Sequence, residues 1–227
     1  MPDTPTPDHP AREPLELRLV HIDQRFVVVD KPAGLLSVPG KGEDKADCVV
    51  ARVREFFPEA TGPMVVHRLD MDTSGLMVVA LDTGAQRELS VQFQDRLTRK
   101  AYIALVEGTV ERDSGYVDLP LRVDWPNRPM QIVCLSEGRP SQTEYRVLAR
   151  ETERTRLELI PITGRTHQLR VHCADPQGLG RAILGDRLYA KGPARDDYPR
   201  LMLHAARLSI RPPGSKRLMD FAADVPF

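Results

Sequence analysis

Cysteine is scarce in this chain of 227 residues, and Cys48, Cys134 and Cys173 lie far apart with no C-x-x-C pair. They fit neither a disulfide framework nor a structural zinc site, so reduced cysteines in a cytoplasmic protein are the expected state. His167 and His172 are five positions apart and miss the i, i+4 spacing of a helical zinc pair. Long apolar runs are also missing. None approaches the roughly 20 residues that a membrane span needs. The opening segment MPDTPTPDHPAREP has neither a cationic start nor an apolar centre, so no secretory signal is expected. Its five prolines describe a disordered tail. Net charge is zero, which argues against a protein that coats nucleic acid non-specifically but leaves room for a local basic face. Lysine is rare as well: only six of the 32 basic residues are Lys, and none lies between Lys100 and Lys191. Arginine makes bidentate phosphate contacts and stacks on bases, as an RNA enzyme requires, although genome composition produces the same skew.

What is present describes an ordinary soluble globular chain, 41% hydrophobic and 28% charged, long enough to bury an ample core. Residues 15–21 and 25–32 read as short strands joined by a turn at Asp23-Gln24. Residues 47–57 place Val49, Val53, Phe56 and Phe57 on one helical face, and Pro58 stops that helix. Thr83 is the expected N-cap of a helix through about Arg96, with Leu89 and Phe93 facing inward. Strand candidates follow at 100–108, 115–121, 130–135, 143–150 and 156–162, then a short helix at 165–174. Two apolar segments, 203–210 and 217–223, close the chain. Strands grouped with few helices between them predict an α+β fold, and no period of 20–50 residues suggests a solenoid.

The most informative stretch is VVHRLDMDTSGLMVVA, residues 65–80. It sets Asp70 on a polar turn between two Val-rich runs, Val65-Val66 and Leu76 to Leu81, that read as buried strands. Thr73, Ser74 and Gly75 supply hydroxyls and a permissive backbone for the turn. A carboxylate in such a place is often only a turn former. Asp70-Met71-Asp72 is also a D-x-D, the spacing with which some glycosyltransferases hold a divalent ion. GLLSVPGKG, residues 34–42, imitates a phosphate loop but fails it: five residues separate Gly34 from Gly40, and Gly42 stands where Ser or Thr should follow Lys41.

HRLDMDTSG, residues 67–75, resembles the active-site motif of the RluA-family pseudouridine synthases. DKPAGLLSVPG (30–40) resembles that family's opening segment, KAYIALVEG (100–108) its second motif and LELIPITGRTHQLRVH (157–172) its third. DLPLRVDWPNRPMQ (118–131) is similar to compact members that modify both ribosomal and transfer RNA. The resemblance implies a single catalytic domain over 15–227, behind a disordered tail over 1–14 and without an S4 domain. It further implies a long, mostly antiparallel sheet crossed by a central cleft. Asp70, Tyr102 and Arg165 would be catalytic, and Arg68, Leu169, Thr73, His167 and Arg170 would contact the substrate. Two departures stand out: Asp72 adds a second carboxylate beside the nucleophile, and Arg181-Ala182 replaces a usual His-Pro in a longer 173–186 link.

The chemistry gives separable reasons for these residues. Converting uridine to pseudouridine breaks the N1–C1′ bond, turns the uracil and rejoins it through C5. No electrons change hands and no water is added, so no cofactor and no metal is expected. An anionic nucleophile is needed, and burial would neutralise it unless a cation lies close by. Arg165, after Gly164 at a turn, is the expected bidentate partner of Asp70. Tyr102 would stack on the uracil with its hydroxyl near C5, and Leu169 would pack on the other side of the base; by pattern alone both are core residues. Arg68 should point away from Asp70 along an extended segment and, in the family's manner, fill the gap left by a flipped base. A metal-dependent glycosyltransferase and a catalytically idle RNA-binding module are the competing classes. RNA is the expected partner, with no membrane, no obligate protein partner and a monomeric enzyme.

Overall fold

The computed structural model describes residues 16–42 and 45–227; the expected disordered tail lies outside the described residues. Two central strands organise the first half. β2 (Phe26–Lys31) and β3 (Ser74–Ala80) pair antiparallel from Phe26 opposite Ala80 to Lys31 opposite Gly75. β3 is buried along its whole length, and β2 at all but Asp30. Such strands read as continuous Val, Leu and Met runs rather than as alternation. Their side chains still alternate between faces. Val27, Val29, Met77 and Val79 pack on α1 (Val49–Phe56), whereas Val28, Leu76, Val78 and Ala80 pack on α2 (Thr83–Gln94).

The main sheet runs β1-β2-β3-β10-β4-β9-β8-β5, with β11 on the far part of β10. The remaining members are β1 (Arg18–Ile22), β4 (Arg99–Glu107), β5 (Ser114–Asp118), β8 (Gln142–Arg150), β9 (Arg154–Pro161), β10 (Leu203–Ile210) and β11 (Met219–Ala222). Among its described pairings only β3 with β10 is parallel, and it is short: Ser74 faces His204 and Gly75 faces Ala205. Gly75 has φ +111°, and a Cβ there would lie 2.4 Å from the Ala205 carbonyl oxygen, so this crossing accepts only glycine. A hairpin of β6 (Leu121–Val123) and β7 (Gln131–Val133) forms a separate small sheet. A second core, between β4, β9 and α3 (Gln168–Ala174), fills the other half, and Tyr102 packs against both cores. The α+β class and the large, mostly antiparallel sheet are therefore as expected.

Four local expectations differ. Val65-Val66 forms no strand; Val65 makes one isolated bridge to Val79, because Val66 leads straight into the Asp70 turn. Asp82 rather than Thr83 caps α2: it is extended (φ −137°, ψ 160°) and accepts from the Ala85 amide at 2.8 Å. Its carboxylate also pairs with Arg25 at 2.9 Å. Phe56 turns to solvent at 57% exposure, so the apolar face of α1 is Val49 and Val53. The helix expected over 165–174 begins at Gln168 instead of Arg165, behind His167 in a left-handed conformation.

Candidate active site

Asp70 sits at the end of the sheet beside the β3–β10 crossing, on a turn closed by the Thr73 amide donating to the Asp70 carbonyl at 3.1 Å. Neighbouring segments pin this turn. Ser37 Oγ donates to the Leu69 carbonyl at 2.7 Å and accepts from the Leu69 amide at 3.1 Å. The Gly34 amide donates to the Met71 carbonyl at 2.8 Å. Lys31, fully buried at the end of β2, donates to the carbonyls of Pro32, Leu35 and Met71 at 2.8–2.9 Å. Burial pulls its ammonium down to about 7, while Asp72 and Asp70 hold it up. Sequence reasoning placed this lysine only in a resembling segment. Its contacts show that it ties the opening loop to the Asp70 turn.

The cation beside Asp70 is not the one the sequence suggested. Arg165 is exposed: its Nε donates to the Pro140 carbonyl at 3.2 Å, and its backbone amide to Gln168 Oε1 at 3.0 Å. Arg170 stands in the expected place instead, with Nη1 at 3.7 Å from Asp70 Oδ2. The reason is the helix start. Residues 164–166 belong to a loop held by the Gln168 side chain, which accepts from Thr163 Oγ1 and donates to the Gln142 carbonyl. The helix that follows then turns Arg170 inward. Asp186 clamps the other edge of the guanidinium, at 2.7 Å from Nε and 2.6 Å from Nη2. His167 Nε2 also approaches Asp70 Oδ2, at 3.9 Å, and its Nδ1 lies 2.8 Å from the Tyr189 hydroxyl. Asp186 and Tyr189 were missed in the sequence, where no spacing links GDRLY to the Asp70 turn.

The turn opens into a cleft of about 1720 Å³. All eight residues singled out from the sequence line it: Arg68, Asp70, Thr73, Tyr102, Arg165, His167, Leu169 and Arg170. Tyr102 is half-buried, and burial together with the Asp70 charge pushes its phenol above the usual tyrosine range, which keeps it neutral. Arg68 is exposed while its neighbours Leu69 and Thr73 are buried. Arg68, Arg96, Arg99, Arg146, Arg165 and Arg207 all line the cleft, against Asp70, Asp72 and Glu158. A chain of zero net charge thus gathers a basic face at one place, suited to phosphates. His67, behind the turn, stacks on Phe93 with ring centroids 4.3 Å apart and accepts from the Val78 amide. Burial and the nearby Lys100 charge lower it to about 3.

Comparison with known proteins decides what this arrangement is. Residues 25–175 match the family model of RNA pseudouridylate synthases. The chain belongs to that family. It is 49% identical over 220 residues to the dual-specificity RNA pseudouridine synthase RluA of Escherichia coli strain K12, covering 96% of this chain and 97% of that one. It is 48% identical to the RluA of Yersinia pestis over 210 residues, covering 92% of this chain and 99% of the relative. Among solved structures it resembles human RNA pseudouridylate synthase domain containing 1, with TM-score 0.77 and 30% identity over 95% of this chain and 87% of that one. It also resembles human RNA pseudouridylate synthase domain containing 4, with TM-score 0.73 and 26% identity over 92% and 88% of the two chains. The chain is therefore an isomerase acting on uridine in RNA, and the glycosyltransferase and idle-module readings are not favoured.

Proposed function

We propose that this enzyme converts uridine to pseudouridine in compact stem-loops of both large-subunit ribosomal RNA and transfer RNA, with Asp70 as the nucleophile. The observation that carries this reading is an aspartate on a pinned turn in a basic cleft, addressed by a buried arginine that a second carboxylate holds in place. The target uridine leaves its stack to reach Asp70, and the exposed Arg68 fills the space behind it. Tyr102 and Leu169 hold the uracil between them. Asp70, with Arg170 beside it, drives breakage of the N1–C1′ bond. The freed uracil turns, C5 bonds to C1′, the C5 proton leaves and N1 gains one, so atoms and charge balance without a co-reactant. Tyr102, as a neutral phenol, stays beside C5 to pass that proton on. Arg165 and the rim arginines bind phosphates, and Arg170 and His167 act on Asp70 rather than on the RNA.

The RluA relatives are named as dual-specificity enzymes, and the cleft suits a loop whose unstacked bases can be splayed out. The enzyme works as a monomer in the cytoplasm without a protein partner, in keeping with its three free cysteines. Pure enzyme incubated with an isolated anticodon stem-loop and with isolated large-subunit ribosomal stem-loops tests this reading. Both classes are expected to be modified. Modification of only one class removes the dual assignment and leaves the reaction type.

A further inference from the structure

His167 occupies a backbone conformation that costs energy. Its φ is +53°, in the left-handed region that Gly or Asn takes more cheaply. Strain of this kind persists where the surroundings enforce it, and it concentrates at functional sites. The ring is buried, and its two nitrogens face different partners: Nδ1 the Tyr189 hydroxyl at 2.8 Å, Nε2 the Asp70 Oδ2 at 3.9 Å. Tyr189 Oη already accepts from the Gln131 amide at 2.7 Å, which directs its own proton to Nδ1. Burial holds that phenol up at about 12, so it has the proton to give. A hydrogen bond given by Tyr189 to Nδ1 leaves the imidazole proton on Nε2, the nitrogen nearer Asp70. Arg170 Nη1 addresses the same oxygen.

We propose that His167 is a positioning residue for Asp70: fixed by Tyr189 in its Nε2–H form, it shares Oδ2 with Arg170, sets the carboxylate's rotation and directs Oδ1 toward the flipped uridine. The proposal rests on Asp70 being the nucleophile. Catalytic contacts of this length commonly tighten when substrate binds. The charged and titratable groups facing His167 are Asp70, Arg170, Asp186, Asp72 and Tyr189. Those facing Asp70 include His167, Arg170, Lys31 and Tyr102.

The test compares His167→Asn, His167→Gly, His167→Gln and Tyr189→Phe in single-turnover rates at saturating RNA across pH, with RNA Kd and Tm measured in parallel. Asn and Gly suit the left-handed backbone, which offsets part of the packing lost with the buried ring, so their Tm should fall no further than that of His167→Gln. Their saturating rate should fall about tenfold or more, the scale of losing a hydrogen bond to a charged group. Kd should stay unchanged. Gln carries an N–H to the place of Nε2 and should restore the rate, while Tyr189→Phe should fall in between. A normal rate in His167→Asn overturns the proposal, as does a Gln variant no better than Asn. So does a Tm that falls in step with the rate, which marks a structural role, or a raised Kd at normal saturating rate, which marks an RNA contact. Asp70→Asn in the same assay separates the two readings. If it turns over, the nucleophile assignment fails; if it is dead while His167→Asn is normal, only the role of His167 fails.

Discussion

Arg170 and Asp186 form a buried, two-pronged ion pair at 2.6 and 2.7 Å, and the remaining prong of the guanidinium, Nη1, faces Asp70 at 3.7 Å. Asp186 also accepts from the amides of Leu188 and Tyr189 at 2.9 and 3.2 Å, so it is itself held in place. Burial opposes the Arg170 charge, and Asp186 and then Asp70 hold it. The guanidinium thereby reaches Asp70 already oriented, and no side-chain reorganisation is needed when charge develops.

Arg170 and Arg165 should separate cleanly on mutation. Arg170→Ala is expected to lower the saturating rate by about 10²–10³, the usual loss when a preorganised charge-stabilising donor is removed. It also leaves Asp186 buried and unpaired, a loss of about 3–5 kcal/mol in stability. Arg165→Ala should keep the saturating rate, raise RNA Kd and reduce the slope of log K against log salt by about one. Single-turnover rates with salt titrations check both, and loss of the saturating rate in Arg165→Ala would return the pairing to the site the sequence suggested.

Asp70→Asn preserves shape and removes the anion. Turnover should fall below detection while RNA binding persists, because the Asp70 side chain faces His167 and Arg170 rather than the fold's core. Tritium release from C5-labelled uridine in RNA is the measurement. Residual activity within about tenfold of wild type, or about 1.4 kcal/mol of barrier, sinks the assignment.

Activity should survive EDTA on a substrate that folds without magnesium. Asp70 faces Arg170, and the charge of Asp72 acts on Lys31, Arg200 and His167. Two carboxylates already matched by cations form a poor seat for a divalent ion. Activity lost on chelation and restored only by a divalent ion would revive the D-x-D reading.

Stability should fall as the solution is acidified. Burial lowers His67 to about 3 and His204 to about 4 in the folded protein, against 6.5 for the free side chain. Below pH 6.5 the unfolded chain takes up protons that the folded one refuses, so stability is full above pH 6.5 and drains as pH falls toward 4 and then 3. Each such histidine contributes a slope of up to about 1.4 kcal/mol per pH unit in that window. Urea unfolding from pH 4 to 7 measures it. His67→Gln, which can still accept from the Val78 amide, should flatten the slope by one proton's worth; an unchanged slope removes His67 from the account.

The strands of this protein, its α+β class and its chemistry-bearing turn are legible in the sequence because their signals are local. Val-rich runs declare burial within a few residues, and HRLDMDTSG carries its own resemblance. The Gly75 requirement is present in the motif, although its cause, the Ala205 backbone at the β3–β10 crossing, is visible only in space. The tertiary structure alone decided which arginine serves Asp70. Arg165 and Arg170 differ by little in sequence, but the helix begins at Gln168, and that start leaves one on an exposed loop and turns the other inward. Lys31 bonds the turn, and Asp186 and Tyr189 hold Arg170 and His167 beside it, all from distant segments. Charge pairing across such separations depends on how strands cross and loops return, and no short-range pattern encodes that.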